Sequence, residues 1–206
     1  MHIDTGLRKV LEQPFIYQSF QTIVGADKLY RHFVENVLCP KKGEYILDIG
    51  CGPGKILDYM PPDINYTGID LNEQYILKAK EKYESRGTFI CGKLDSDFKF
   101  DGRSKYHKIF AFALVHHLSD EVLSETISQV PDLLHKKGVF LTVDPTYSKE
   151  QNSIARWIIS KDRGQNVKSP NEYRDFVSKY FPNVENIVLE NFINIPYSHC
   201  IIKATV

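Results

Sequence analysis

A chain of 206 residues, 42% hydrophobic and 25% charged, is long enough to bury one sizeable core and short for two. Lys plus Arg and Asp plus Glu both number 26, so the formal charge is zero and the balance carries no electrostatic footprint for nucleic acid. The longest uncharged apolar run, Ile109 to Val115, is far too short to span a bilayer, and no basic-then-apolar stretch opens the chain, so neither a membrane nor an export route is expected.

Residues 6–38 have a helical pattern, with Leu29, Phe33, Val34 and Val37 at helical spacing, and Pro40 with Gly43 closes the segment. This predicts an N-terminal helical extension over residues 1–42. Apolar strands then alternate with amphipathic helices: strand 44–49, short helix 54–60, strand 65–69, helix 72–84, strands 87–91 and 108–113, helix 119–136 and strand 138–143. Such alternation needs crossover connections and predicts an α/β, doubly wound, mostly parallel sheet covered on both faces. Pro131 lies inside the helix that begins near Ser119, where a kink or break is expected because proline has no N–H to donate. Helical patterns at 149–161 and 170–180 precede two strand-like segments, roughly 184–192 and 196–205. The link between them, around Asn194 and Ile195, is too short for a parallel crossover, so a C-terminal antiparallel hairpin is expected. The whole reads as a single domain, 1–206, with a core at 43–145 and added helices and the hairpin at 146–206.

The most informative stretch is Tyr45 to Gly54, where an apolar strand runs into an acid, Asp48, and then a turn carrying Gly50, Gly52 and Gly54. Glycines let the backbone lie flat against a ligand and adopt positive φ, and exposed amides at the next helix start are expected to receive electron-rich groups. The spacing excludes a dinucleotide fingerprint, since the position that needs the third glycine is Lys55 or Leu57, and no Gly-Lys-Ser/Thr follows to make a P-loop. About twenty residues past the first glycine a second apolar strand ends in Asp70, as expected of a carboxylate that takes ribose hydroxyls, and Asn72 is placed to cap the next helix. Cys39, Cys51, Cys91 and Cys200 form no Cys-x-x-Cys pair, so neither a metal site nor a disulfide framework is indicated and a cytoplasmic location is expected.

Asp-x-Gly-x-Gly-x-Gly followed by Asp70 resembles the motifs of class I S-adenosylmethionine-dependent methyltransferases. The resemblance covers about residues 43–145, with the hairpin matching more weakly. It implies a seven-stranded sheet ending in an antiparallel hairpin, with S-adenosyl-L-methionine at the carboxyl ends of the strands and S-adenosyl-L-homocysteine as product. Asp48 and the loop Gly50, Cys51, Gly52, Pro53 and Gly54 would hold the methionine moiety, with Asp70 on the ribose and Leu71 beside the adenine. Lys93 and Leu94, after the third strand, and Ala113, at the end of the fourth, would complete the pocket. Lys93 stands where the family often has an acid, and the nearest carboxylate is Asp95. Tyr17 and Gln21 in the leading helix would close over the cofactor.

The fourth strand runs into Ala113-Leu114-Val115-His116-His117-Leu118, which resembles a Leu-x-His-His-Leu segment of small-molecule methyltransferases that faces the methyl group. Histidine accepts a proton near neutral pH, so His117 is the candidate catalytic base for an oxygen or nitrogen acceptor. His116 is the second candidate, and a structural hydrogen bond to a neighbouring loop is the competing role for either. The Asn/Asp-Pro-Pro-Tyr/Phe signature of planar-amine methylation is absent here, which disfavours macromolecular amine targets. Asp144 lacks partners at metal-binding spacing, and a loop or helix-start role is expected for it. Substrate contacts are expected from Tyr147, Arg163, Tyr173, Tyr197 and His199, in the parts added to the core; the bland alternative makes Asp162 and Arg163 an exposed ion pair.

The expected activity is methyl transfer to a small molecule, most plausibly at oxygen. A cofactor-using enzyme of other chemistry and a non-catalytic cofactor-binding regulatory subunit are the alternatives. The partners expected are a small-molecule substrate, with no nucleic acid and no membrane; oligomeric state is open.

Overall fold

The computed structural model describes residues 25–95, 105–162 and 164–206. Seven strands form one sheet: β1 Tyr45–Ile49, β2 Asn65–Asp70, β3 Gly87–Cys91, β4 Tyr106–Phe112, β5 Leu134–Pro145, β6 Asn183–Glu190 and β7 Ser198–Thr205. Their order is β3-β2-β1-β4-β5-β7-β6. The first five pair in parallel, and β7 runs antiparallel to both β5 and β6. The order reverses between β1 and β4, and the general rule for open α/β sheets puts a ligand at the carboxyl ends of the strands beside such a point.

The α-helices among the described residues are α1 Ala26–His32, α2 Glu73–Tyr83, α3 Asp120–Leu133, α4 Ser153–Ile159 and α5 Pro170–Val177. The leading helix continues past α1 as a wider π-type turn, Phe33–Leu38, and stops at Cys39 in the left-handed region, φ 46°. Short 3₁₀ turns follow β1 at Lys55–Asp58 and β4 at Val115–His117. Asn72 caps α2 as expected, its Oδ1 accepting the amides of Gln74 and Tyr75. None of the helices described is long and apolar enough to cross a membrane.

Successive residues on a strand point to opposite faces, and the strands here are apolar on both. Leu47, Ile109, Phe140 and Ile202 join Leu123, Ile127 and Val130 of α3 and Tyr173, Phe176 and Val177 of α5 in one core. Their neighbours Ile46, Phe110, Leu141 and Ile201 face Leu29, Phe33 and Val34 of the leading helix and Ile76 and Ala79 of α2 in the other. Burial on both sides is why these strands read as near-continuous apolar runs.

Two boundaries differ from expectation. The helix expected to reach residue 136 ends at Leu133, within a turn of Pro131, and Leu134 opens a strand of 12 residues, twice the expected length. Pro131 cannot donate to the preceding turn, so the chain is released into the sheet early. The hairpin link covers residues 191–197 and turns at Asn191, φ 51°, rather than closing tightly around Asn194.

Candidate active site

Strand β1 delivers Asp48 to the glycine turn from inside the sheet. The carboxylate is 2% exposed, and its Oδ2 accepts the Tyr66 hydroxyl of β2 at 2.6 Å. Its Oδ1 is buried with no hydrogen-bond partner among the described residues. Burial pushes the Asp48 pKa up to about 7, opposed by the Tyr66 hydrogen bond and reinforced by the charge of Asp70. A buried acceptor with an oxygen unpaired at the edge of a ligand loop fits a cationic group, such as an α-ammonium, arriving from outside.

The loop's amides do not play the part expected of them. Gly50 and Cys51 donate to the Ile69 carbonyl at 2.8 and 3.1 Å, Gly52 donates to Asp70 Oδ2 at 2.9 Å and Gly54 to the Cys51 carbonyl at 3.0 Å. Pro53 has no N–H. The turn folds back on β2 and uses its donors there and on its own Cys51 carbonyl, so it meets a ligand with carbonyl oxygens and bare Cα surface. At Gly52, φ 54°, an added Cβ would meet nothing within 4 Å, so the backbone conformation alone demands glycine and the surface there is open. At Gly50, φ 76°, a Cβ would come within 2.8 Å of Leu114, because the turn after β4 packs directly on the glycine loop. Cys51 fills space against Gly68, and burial raises its thiol pKa, leaving it inert.

Asp70, at the end of β2, ties two pieces of backbone: Oδ2 takes Gly52 N–H and Oδ1 takes Asn72 N–H at 2.8 Å. Leu71 beside it is 70% exposed and presents an apolar surface. Lys93 pairs with Asp95 at 2.9 Å and Glu125 at 3.5 Å, while Leu94 is buried in the core below. Ala113 has φ 53°, an uncommon conformation for a residue with a Cβ, and its amide donates to the Val143 carbonyl at 2.7 Å. Backbone strain of this kind gathers at functional sites, and no local sequence signal announces it.

His116 is 3% exposed. Its Nδ1 lies 2.8 Å from Asp144 Oδ1, its backbone amide donates to the same oxygen at 3.1 Å, and its Nε2 faces Asp162 Oδ1 at 3.4 Å. Burial opposes its protonation, but the two carboxylates outweigh that and hold its pKa up, at about 9. The two carboxylates thus favour the protonated imidazole, and both of its ring nitrogens are engaged by them. Asp144, expected at a loop or helix start, is instead the fully buried end of this pair. His117 is exposed, its ring centroid 4.0 Å from that of His116.

The substrate-side residues divide. Tyr197 donates its hydroxyl to Asp162 Oδ2 at 2.7 Å and leans on His199, ring centroids 4.9 Å apart. His199 is 7% exposed, and burial beside the charge of His116 lowers its pKa to about 4, so it stays neutral. Tyr147 lies near this group with the Arg156 guanidinium over its ring at 5.3 Å. Tyr173 is set apart: it is 2% exposed and donates to the Pro145 carbonyl at 3.1 Å, so it supports the end of β5 from within the core and presents no surface to a substrate. Tyr17, Gln21 and Arg163 lie outside the described residues. Asp162, for which an exposed ion pair with Arg163 is the alternative reading from sequence, is partly buried and turns toward His116. His116, the Gly164 amide and Tyr197 hold its carboxyl below the usual range, against the effect of burial. A Cβ on Gly164 would fall 1.9 Å from His116 Cδ2, so the backbone lies directly on the imidazole.

Residues 46–138 match the family described as a methyltransferase domain. Together with the seven-stranded topology and the motif at Asp48 to Asp70, the match identifies a methyltransferase domain with the class I S-adenosylmethionine-dependent methyltransferase fold. No curated protein matches it in sequence. Solved structures share the fold. A TehB-like S-adenosylmethionine-dependent methyltransferase from Corynebacterium glutamicum is 15% identical, with a TM-score of 0.61 over 85% of this chain and 86% of that one. The plantazolicin methyltransferase BpumL, solved with S-adenosylhomocysteine, is 16% identical, with a TM-score of 0.59 over 97% and 93%. The mitomycin 7-O-methyltransferase MmcR is 12% identical, with a TM-score of 0.65 over 97% of this chain, which spans 60% of that one.

Proposed function

We propose that the chain, acting as a single cytoplasmic domain, methylates a hydroxyl oxygen of a small molecule, with His117 taking the hydroxyl proton. The observation that carries this reading is the position of His117: exposed, at the carboxyl end of β4, in the turn whose Leu114 packs on Gly50 of the glycine loop. When bound, S-adenosylmethionine supplies an electrophilic methyl group on a positively charged sulfur. Asp48 Oδ1 would receive its α-ammonium, the loop carbonyls and the flat surface at Gly52 its methionine backbone, Asp70 its ribose and Leu71 its adenine face. Lys93 would flank the far end of the adenine, with Leu94 supporting it from the core.

Methyl transfer to the acceptor oxygen would leave its O–H proton to be taken by His117. Holding donor and acceptor in line is the larger part of the catalysis, with proton removal adding the rest. Tyr147, Tyr197 and His199 would line the acceptor side. A chain of zero net charge and structural relatives named for plantazolicin and for mitomycin 7-O-methylation support a small acceptor rather than a nucleic acid, and the latter name supports oxygen. Free thiols at Cys39, Cys51, Cys91 and Cys200 suit a reducing compartment.

Incubation with methyl-labelled cofactor and fractionated metabolite extract tests the reading. Label in an ether-linked small product supports it. Label confined to polypeptide or nucleic acid, or to nitrogen or carbon of the product, would overturn it.

A further inference from the structure

The group around His116 has a geometry that methyl transfer does not require. Nδ1 of His116 is held by Asp144, which leaves Nε2 as the atom facing Asp162 Oδ1. Their separation of 3.4 Å is long for an N–H···O hydrogen bond, which falls at about 2.7–3.2 Å. It is the separation of two ligands on one tetrahedral ion: with bonds of about 2.0–2.1 Å, atoms this far apart subtend about 110° at the metal. His117 completes a set of three, and one donor atom from each of His116, His117 and Asp162 lies within 4.8 Å of the others. Two ligands on one ion at such bond lengths stand at most about 4.2 Å apart, so any wider gap in the trio closes through rotation of the exposed His117 side chain.

The surroundings fit as well. A metal-bound imidazole characteristically gives its other nitrogen to a carboxylate, which fixes the tautomer and raises ligand basicity, and Asp144 stands in that position. Asp162 is oriented by the Tyr197 hydroxyl and by Gly164 N–H at 2.9 Å. Beside them His199 is buried, its Nδ1 without a hydrogen-bond partner among the described residues, close enough to interact electrostatically with both His116 and Asp162.

We propose that His116, His117 and Asp162 form a binding site for a divalent first-row transition-metal ion, oriented by Asp144. The ion displaces the proton that His116 Nε2 otherwise carries between the two carboxylates, and that proton leaves to solvent as the metal bond forms. Two imidazoles and one carboxylate favour ions of the Zn²⁺, Co²⁺ or Ni²⁺ type over the oxygen-seeking Ca²⁺ and Mg²⁺. The ion takes the ring lone pair that His117 needs as a base, so on the reading above the metal-loaded enzyme transfers methyl more slowly than the metal-free one.

The test uses the full chain, stripped with chelator, titrated calorimetrically with Zn²⁺ and followed by visible absorption with Co²⁺. Expected are a single ion per chain, low-coordinate Co²⁺ bands, and a loss of affinity of about 10-fold or more in His117→Ala and in Asp162→Asn. His116→Ala is avoided because it strands Asp144. Absence of stoichiometric Zn²⁺ binding by the unmodified protein overturns the proposal whatever the variants do, and so does unchanged affinity in both folded variants. Binding of S-adenosylhomocysteine, titrated separately without metal, keeps the outcomes apart: its presence with no Zn²⁺ uptake defeats only the metal site, and its absence defeats the cofactor reading.

Discussion

One carboxylate oxygen of Asp144 receives both the backbone amide and the ring Nδ1 of His116, and neither residue is more than 3% exposed. The end of β5 is thereby fastened to the turn after β4 by a buried charge pair. Deleting one partner of such a pair leaves the other charged in a medium that cannot solvate it, at a cost of about 3–5 kcal/mol. His116→Ala is expected to lose stability in that range by denaturant unfolding. Replacement with a loss below about 1 kcal/mol would mean that the pair contributes no more than a surface contact.

Asp48 makes stability depend on pH. Its carboxyl has a pKa of about 7 in the folded chain against an ordinary 3.8, so between these values the native state holds a proton that the unfolded state has released. The associated stability is complete below the lower value, falls as pH rises through the window, and is gone above the upper one, a span of up to about 4 kcal/mol. Comparing the pH profiles of unfolding for the unmodified chain and Asp48→Asn isolates this component; superimposable profiles would show that Asp48 ionises normally. If an ammonium meets Oδ1, cofactor binding at about pH 6 releases a proton, visible as a buffer-dependent heat that Asp48→Asn lacks.

Asp70→Ala removes the proposed ribose contact and also frees Gly52 and Asn72, whose amides the carboxylate holds. Affinity for S-adenosylmethionine is expected to fall by about 2–4 kcal/mol, since the loss includes partners left unpaired. Titration calorimetry on the variant is the measurement, and undiminished affinity would remove Asp70 from the site.

For His117→Ala, cofactor affinity should stay nearly constant while methyl transfer slows by roughly 10²- to 10⁴-fold. His117 is exposed and outside both cores, so the variant should fold, which a thermal melt recorded beside the rate confirms. Transfer at the unmodified rate would leave the acceptor proton to another group.

The strands and the carboxyl-edge acids were legible because their signals are local. Ile46 to Ile49 and Ile64 to Ile69 are apolar on both faces, and Asp70 and Asn72 sit two residues apart with a helix pattern behind them. The polar group around His116 was not legible. Asp144 lies 28 residues from its partner and reaches it only because β4 and β5 are neighbours in register, Phe112 opposite Val143. Asp162 sits in a run of charged residues that sequence alone reads as solvated, and its inward turn depends on Tyr197, which the hairpin brings back from 35 residues away. The loop amides misled for a related reason: a glycine-rich turn shows where donors are, and only the fold shows that β2 consumes them.

The pairing of β5 with β7 sets Asp144 opposite Cys200 and Pro145 opposite His199. This alignment works as a ruler between the two halves of the site. Lengthening the 191–197 link leaves it untouched, whereas removing one residue from within β7 inverts every side chain between the deletion and the strand end. A deletion just before His199 would send that imidazole to the opposite face and pull Tyr197 away from Asp162 at the same stroke. Variation among natural or engineered versions of this chain should therefore collect in the link ahead of Tyr197 and spare the strand, even at positions that touch neither cofactor nor acceptor.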